Sequence, residues 1–231
     1  MNMQTFFSEI TALCRNEQFL HSVMEKYHYD PEEYPNLKRL AGEMIPCLET
    51  EAGWQDREIK ETFPGRDQSF LAVGITLGKG IDELQEKYLQ NGFLTESYMI
   101  EVLSSELLLE SYRAYTEWVV VHRNLHVARL HFLGGGEISE TSESQIGSLL
   151  RLANLPMLLQ ELALPVTCNT AYCMIPKKSV VFYAELTKDP FTKCAGICLG
   201  CGRRDCPNRP NRPLSYGYAR IFSKSTDENG R

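Results

Sequence analysis

The chain predicts an α+β domain behind a helical N-terminal extension, and three observations carry that reading. Apolar residues recur at helical spacing through residues 1–60 and again from 95 to 122, where Met99, Leu103, Leu107, Ala114 and Trp118 share one face. Two β-rich runs, SFLAVGITLG at 69–78 and SVVFYAEL at 179–186, are bounded by glycine and proline. Neither an internal repeat nor a low-complexity linker divides the chain, so one domain with an extension is the simplest architecture. The expected divisions are the extension at 1–62, the α+β domain at 63–213 with a cysteine loop at 194–206, and a polar tail at 214–231.

Taken in order, the extension repeats through Leu37, Leu40, Met44 and Leu48, with interruptions at Asp30-Pro31 and Tyr34-Pro35. After Phe63-Pro64-Gly65, the run at 69–78 reads as a buried strand entering a turn at Gly78 and Gly80; a short helix at 81–84 ends near Asn91-Gly92. The long helix follows at 95–122. Glu110 falls in its apolar stripe, where a carboxylate must reach the rim, find a hydrogen-bond partner or serve a ligand, because burying it unpaired is costly. Residues 127–133 alternate loosely and predict a strand leading into Gly134-Gly135-Gly136, a flexible turn without phosphate-loop spacing. Ser142 and Gln145 make a capping-box start for a helix carrying Leu149, Leu150 and Ala153, which Pro156 breaks or restarts. Residues 172–186, interrupted by Pro176, predict a strand or hairpin arm that delivers the chain to the cysteine loop.

At 231 residues with 43% hydrophobic and 23% charged content, the chain can bury a substantial core. Its net charge of −6 gives no general affinity for nucleic acid or anionic membrane. The first residues lack a basic n-region, a continuous apolar h-region and a small-residue cleavage site, so secretion is not expected. Glu106, Glu110, Arg113 and Glu117 break the longest apolar runs and argue against a membrane span. The expected location is cytoplasmic, where cysteines serve as buried thiols or metal ligands. Cys14 and Cys47 read as core thiols in helices, and Cys168 with Cys173, at a spacing that matches no standard ligand set, read as structural and buried.

Half of the eight cysteines fall in one short run, Cys194-x3-Cys198-x2-Cys201-x4-Cys206, followed directly by Pro207. Interleaved Gly196, Gly200 and Gly202 let the backbone turn sharply and present N–H groups to sulfur, which suits a single soft metal centre. A [4Fe–4S] cluster fits four thiolates at short, unequal spacings ending in Cys-Pro, with Lys193, Arg203 and Arg204 to offset its negative charge. Structural zinc is the rival, although zinc ribbons set two knuckles well apart. The first three cysteines alone match the spacing of radical S-adenosylmethionine enzymes, but no barrel can follow in the residues that remain.

Elsewhere the chemistry-bearing signals are weak. His122 and His126 stand four apart, yet no glutamate follows His122, so the zinc-protease motif is absent and a solvated helix end is expected. No nucleophile elbow and no P-loop occur, which leaves hydrolysis and nucleoside-triphosphate chemistry without support.

Five segments in order, ITLGKGIDEL (75–84), YMIEVLSSELLLESYRAY (98–115), SESQIGSLL (142–150), IPKKSVVF (175–182) and CAGICLGCGRRDCPNR (194–209), resemble the activation domain of vitamin B12-dependent methionine synthase, in its small stand-alone bacterial members with a C-terminal four-cysteine motif. The resemblance covers about two-thirds of the chain. It implies an antiparallel sheet flanked by helices, and S-adenosylmethionine as the ligand. By position, Glu110 is similar to the family's ligand-facing helix glutamate, and Pro176 with Ser179 to its Pro-x-x-Ser strand. The family's Arg-x-x-x-Gly-Tyr segment aligns with Arg129-Leu-His-Phe-Leu-Gly134, one residue out of register and without the tyrosine.

The resemblance further implies an iron–sulfur accessory protein for reductive activation of a corrinoid-dependent methyltransferase, with Cys194, Cys198, Cys201 and Cys206 as cluster ligands and electrons passing to cobalt on a docked partner. The chain has no Asp-x-His-x-x-Gly segment, so cobalamin is expected on that corrinoid-carrying partner. The alternative, from a different class, is a zinc-stabilised ligand- or protein-binding module without catalytic activity.

Overall fold

Local signals at the N-terminus resolve into three helices. α1 (Met3–Leu13) and α2 (Glu17–Tyr27) are divided by Asn16, whose side-chain oxygen accepts from the Phe19 N–H at 3.0 Å. That N-cap satisfies a donor the helix cannot pair internally. Both predicted proline interruptions turn out to be helix starts. Pro31 opens a short 3-10 turn capped by Asp30, and Pro35 occupies the first turn of α3 (Tyr34–Met44). A proline there loses no intrahelical hydrogen bond, which is why it begins a helix instead of breaking one.

The computed structural model describes residues 3–58, 69–133, 148–192 and 194. Within them the fold is mixed α+β, with an antiparallel sheet flanked by helices. β1 (Glu51–Glu58), β2 (Ser69–Thr76), β3 (His126–Phe132) and β6 (Ser179–Thr187) make a four-stranded sheet in the order β1-β2-β6-β3, and every neighbouring pair is antiparallel. α4 (Gly80–Gln90) and α5 (Leu94–Arg123) connect β2 to β3. Beyond β3 come α6 (Leu155–Glu161) and a two-stranded hairpin of β4 (Thr167–Cys168) and β5 (Met174–Ile175). Pro156 lies at the start of α6, so it restarts the helix. Ser142, Gln145 and Gly134-Gly135-Gly136 lie outside the described residues, as does the tail at 214–231.

One expectation needs correction. The helical reading of residues 1–60 holds to Cys47, but Glu51–Glu58 is a strand inside the segment assigned to the extension. β1 is an edge strand, dense in charge, and only Ala52 and Trp54 pack on the core. Half-buried edge strands carry little hydrophobic alternation, so the pattern was weak.

Period-two alternation sorts the sheet into two faces. Leu71, Val73 and Ile75 of β2, with Val180, Phe182, Ala184 and Leu186 of β6, pack on Tyr115, Trp118 and Val119 of α5. Phe70, Ala72, Val181 and Tyr183 face the other way, onto Leu155, Leu158, Leu159 and Leu162 around α6. The side of α5 away from the sheet is covered by α1, α2 and α3, whose buried Ile10, Leu20, Leu37 and Met44 complete that layer. With neighbours on opposite sides, α5 is buried nearly all round in its first half, where Met99, Ile100, Val102, Leu103 and Leu107 are enclosed. No described helix is long and apolar enough to cross a membrane.

Gly53 and Gly74 sit opposite each other across β1 and β2. A Cβ on Gly53 would stand 2.3 Å from the Leu162 carbonyl oxygen, and one on Gly74 would stand 2.3 Å from Leu164 Cδ1. The glycine pair therefore forms a notch in which the chain following α6 lies directly on the strands.

Candidate functional site

Cys194 lies among the described residues, whereas Cys198, Cys201 and Cys206 lie outside them. The approach to it is a turn organised by Asp189. Its carboxylate accepts from the Phe191 N–H and the Thr192 hydroxyl, both at 3.0 Å, and its carbonyl accepts from the Thr192 N–H at 3.2 Å. Such an Asx arrangement satisfies the backbone donors that strand pairing no longer serves after β6. Cys194 is half-buried and packs against the core between the sheet and α5.

The α5 side of that core is aromatic. The Trp118 ring stands 4.8 Å from Trp54 and 5.8 Å from Tyr115, and Tyr115 meets Phe182 edge-on at 5.8 Å. The His122 ring stacks on Trp118 at 4.8 Å, and its Nδ1 is 2.9 Å from the Trp118 carbonyl oxygen. His126 opens β3 after Asn124 ends the helix in a left-handed conformation (φ 51°), so the four-residue spacing of the two histidines is not realised on one helix.

Glu110 occupies the face of α5 turned towards the N-terminal helices. Its carboxylate pairs with Arg113 one turn on at 2.5 Å, and burial, reinforced by Glu106 and Glu117, pushes its ionisation up. The more enclosed carboxylate is Glu106, which sequence reasoning read only as a break in an apolar run. It is 9% exposed; Lys26 Nζ donates to both of its oxygens at 2.7 and 2.6 Å, and the Tyr27 hydroxyl donates at 2.7 Å.

Ser179 opens β6 and is buried, donating its hydroxyl to Thr76 Oγ1 at 2.8 Å; the same oxygen accepts from the Gly78 N–H at 3.1 Å. It lies on the α6-facing side of the sheet, in step with Val181 and Tyr183. Lys178, one residue earlier, points the other way: its ammonium pairs with Glu101 and lies 2.9 Å from Ser105 Oγ on α5. Burial alone would raise the Glu101 ionisation, but the Lys178 hydrogen bond and charge, with a further bond from Gln85, hold it below the ordinary range. Pro176 follows a cis peptide bond, and the next residue, Lys177, donates its N–H to Asp82 Oδ2 at 2.8 Å. An open depression of about 470 Å³ lies there, lined by Asp82, Glu83, Glu86, Lys87, Gln90 and Lys177.

The structure therefore does not bring Glu110 together with Pro176 and Ser179. At 100° per residue, Glu110 projects nearly opposite to Tyr112 and well away from Tyr115, both of which meet Phe182 of β6, and Ser179 lies on the far side of that sheet. Arg129 is on β3 opposite Glu185, and Glu185 also bonds His131 Nε2 at 3.0 Å. Cys168 packs partly buried beside α6 as expected, but Cys173 is exposed at the hairpin turn, contrary to its expected burial. Cys168 pairs with Met174 in the hairpin ladder, whereas Cys173 lies in the turn beyond it, where its carbonyl accepts from the Asn169 N–H at 3.1 Å.

Among the described residues, no three histidine, cysteine, aspartate or glutamate side chains group so as to hold a metal ion. The four-cysteine set expected to hold a metal is represented among the described residues by Cys194 alone. No protein-family model matches the chain, and no curated protein matches it.

Proposed function

We propose that this chain is an iron–sulfur accessory protein that serves reductive activation of a corrinoid-dependent methyltransferase. The observation that carries the reading is the four-cysteine run itself, Cys194, Cys198, Cys201 and Cys206 with Pro207. The donor set suits the group, since four thiolates at short uneven spacing match iron–sulfur ligation and need no imidazole or carboxylate. The mixed α+β fold with its antiparallel sheet is the coarse architecture that the resemblance implies. When bound, a [4Fe–4S] group supplies single electrons at low potential, which is what returning an oxidised corrinoid to its methyl-accepting state requires.

The chain's own residues would do three things. The four thiolates hold the group. Lys193, Arg203 and Arg204 offset its negative charge. The aromatic core on which Cys194 packs keeps water from that side of the ligand, and such shielding influences the potential of a metal group. S-adenosylmethionine has no assigned role in this function, because Glu110, Pro176 and Ser179 do not converge on one cleft.

The test is metal and sulfide analysis of the full chain purified without oxygen. Brown protein containing iron and acid-labile sulfide, lost when any of the four cysteines is changed to serine, supports the function. The activation itself is read by mixing the reduced protein with a cobalt(II) corrinoid protein and following loss of the cobalt(II) paramagnetic signal. Colourless protein carrying zinc would instead make the loop a structural staple in a binding module.

A further inference from the structure

Cationic side chains around the N-terminal helices sit in triplets with a carboxylate and a phenol. Lys26 pairs with Glu106 at 2.6 Å and lies 5.7 Å from the centre of the Tyr27 ring. Lys38 pairs with Glu17 at 2.8 Å and lies 5.9 Å from the Tyr34 ring. Arg39 repeats the arrangement with Glu43 at 2.5 Å and the Tyr88 ring at 5.9 Å. The carboxylate supplies the opposite charge and the aromatic quadrupole adds to it, so the two together hold a cation better than either alone.

Glu25 of α2 departs from this pattern: among the described residues its carboxylate has neither an ion pair nor a hydrogen bond. It lines a cleft of about 410 Å³ between α2 and the start of α3, together with Tyr29, Tyr34, His21, Met24 and Pro31. The cleft forms where α2 ends. His28, in a left-handed conformation (φ 55°), closes the helix, and the Tyr29 N–H donates to the Met24 carbonyl at 3.0 Å, so Tyr29 joins Met24 and Glu25 in the wall. Asp30 then caps the turn at Pro31 and leads the chain to Tyr34, whose ring stacks on His21 at 4.3 Å and 2°. No lysine or arginine is among the described residues that line the cleft. It therefore presents the carboxylate and the rings of a triplet without a cationic side chain.

We propose that this cleft binds a small organic cation, a primary or quaternary ammonium ion, whose charge faces Glu25 and whose alkyl groups lie against Tyr29 and Met24. The volume suits a small ligand, and Met24 and Pro31 supply the apolar wall that an alkylammonium covers. His21, Glu25 and His28 do not group so as to hold a metal ion, which leaves an organic cation as the class that fits. Such binding needs none of the four cysteines, so it stands or falls apart from the iron–sulfur function.

The experiment is an NMR titration of the full chain, read at the histidine ring and methionine methyl signals. Choline and butylamine are the cations, and dimethylbutanol, with carbon in place of the nitrogen, is the uncharged isostere of choline. The expected result is saturable shifts of the His21, His28 and Met24 signals with at least one cation, and binding of the alcohol about tenfold weaker. Whether choline or butylamine binds more tightly separates the quaternary from the primary ammonium. Glu25→Gln, which breaks no side-chain contact among the described residues, is expected to weaken the cation about tenfold, and Tyr29→Leu to weaken it as well. Glu96→Gln, on the first turn of α5, is expected to leave it unchanged. Circular dichroism confirms that each variant is folded, and Glu25→Gln decides alone if Tyr29→Leu unfolds. The proposal is overturned if neither cation shifts these signals at millimolar concentration, if the alcohol binds as tightly as the cations, or if Glu25→Gln binds like wild type.

Discussion

Lys26 of α2 places its ammonium 2.7 and 2.6 Å from the two carboxylate oxygens of Glu106 on α5, and the Tyr27 hydroxyl closes the same carboxylate at 2.7 Å. The side chains are 22% and 12% exposed, so the pair is largely withdrawn from water and ties the N-terminal helices to the central one. Removing one partner leaves the other charge without compensation. Glu106→Leu is expected to lower stability by about 2–3 kcal/mol, while Lys26→Met combined with Glu106→Leu recovers most of the loss. Urea denaturation of the two variants checks this; a double variant that loses as much as Glu106→Leu alone would show that the unpaired Lys26 ammonium carries no burial cost.

Glu110 responds to pH in the opposite sense from an ordinary paired carboxylate. Its folded ionisation is raised by burial and by the neighbouring Glu106 and Glu117, with Arg113 and Lys26 opposing. The folded state therefore binds this proton more readily than the unfolded state. The resulting stability is fully present below the ordinary glutamate value of 4.5 and is lost as pH rises through the raised folded value. Glu110→Gln, which mimics the protonated form, is expected to melt above wild type at pH 8 and to converge with it towards pH 4. A variant that melts below wild type at pH 8 would show that the Arg113 pair outweighs the burial cost.

These two glutamates also mark how far the sequence could be read. The 3.6-residue stripe found α5 and singled out Glu110 as out of place, and that much followed from local spacing. It could not rank Glu110 against Glu106, because α5 is packed on two opposite sides and burial extends beyond one stripe. The partner that settles Glu106, Lys26, is eighty positions away and leaves no local trace. β2 and β6 were legible as apolar runs because both faces are covered, whereas β1 was missed because one edge and most of one face are not. Ser179 was placed on a strand correctly, but which face it shows depends on pairing register with Thr76, which a single sequence does not encode.

Gly53 and Gly74 are required by the chain that crosses them. At Gly53 the obstruction is backbone, the Leu162 carbonyl oxygen at 2.3 Å from an added Cβ, so no rotamer change relieves it. At Gly74 the obstruction is the Leu164 side-chain tip, which can swing aside. Gly53→Ala is therefore expected to cost about 2–3 kcal/mol and Gly74→Ala less, about 1–2 kcal/mol. Thermal melts of both variants give the order, and the reverse order would mean that the α6 segment yields more easily than the leucine.

Metal uptake at the cysteine loop should be visible from within the core. Trp54 and Trp118 are the only two tryptophans in the sequence, their rings are 4.8 Å apart, and both belong to the cluster on which Cys194 packs. An iron–sulfur group has charge-transfer bands that overlap indole emission, whereas zinc, with a filled d shell, has none. Anaerobic loading with iron and sulfide is expected to quench the intrinsic fluorescence severalfold, and removal by a chelator to restore it. Zinc loading should leave the intensity nearly unchanged. Because a ligand that binds only the folded chain adds its binding energy to stability, either metal should raise the melting temperature, and stripping it should lower it again. The Trp54→Phe variant, with Trp118 as the remaining emitter, should quench at least as strongly as wild type; emission indifferent to iron in that variant would separate Cys194 from the metal.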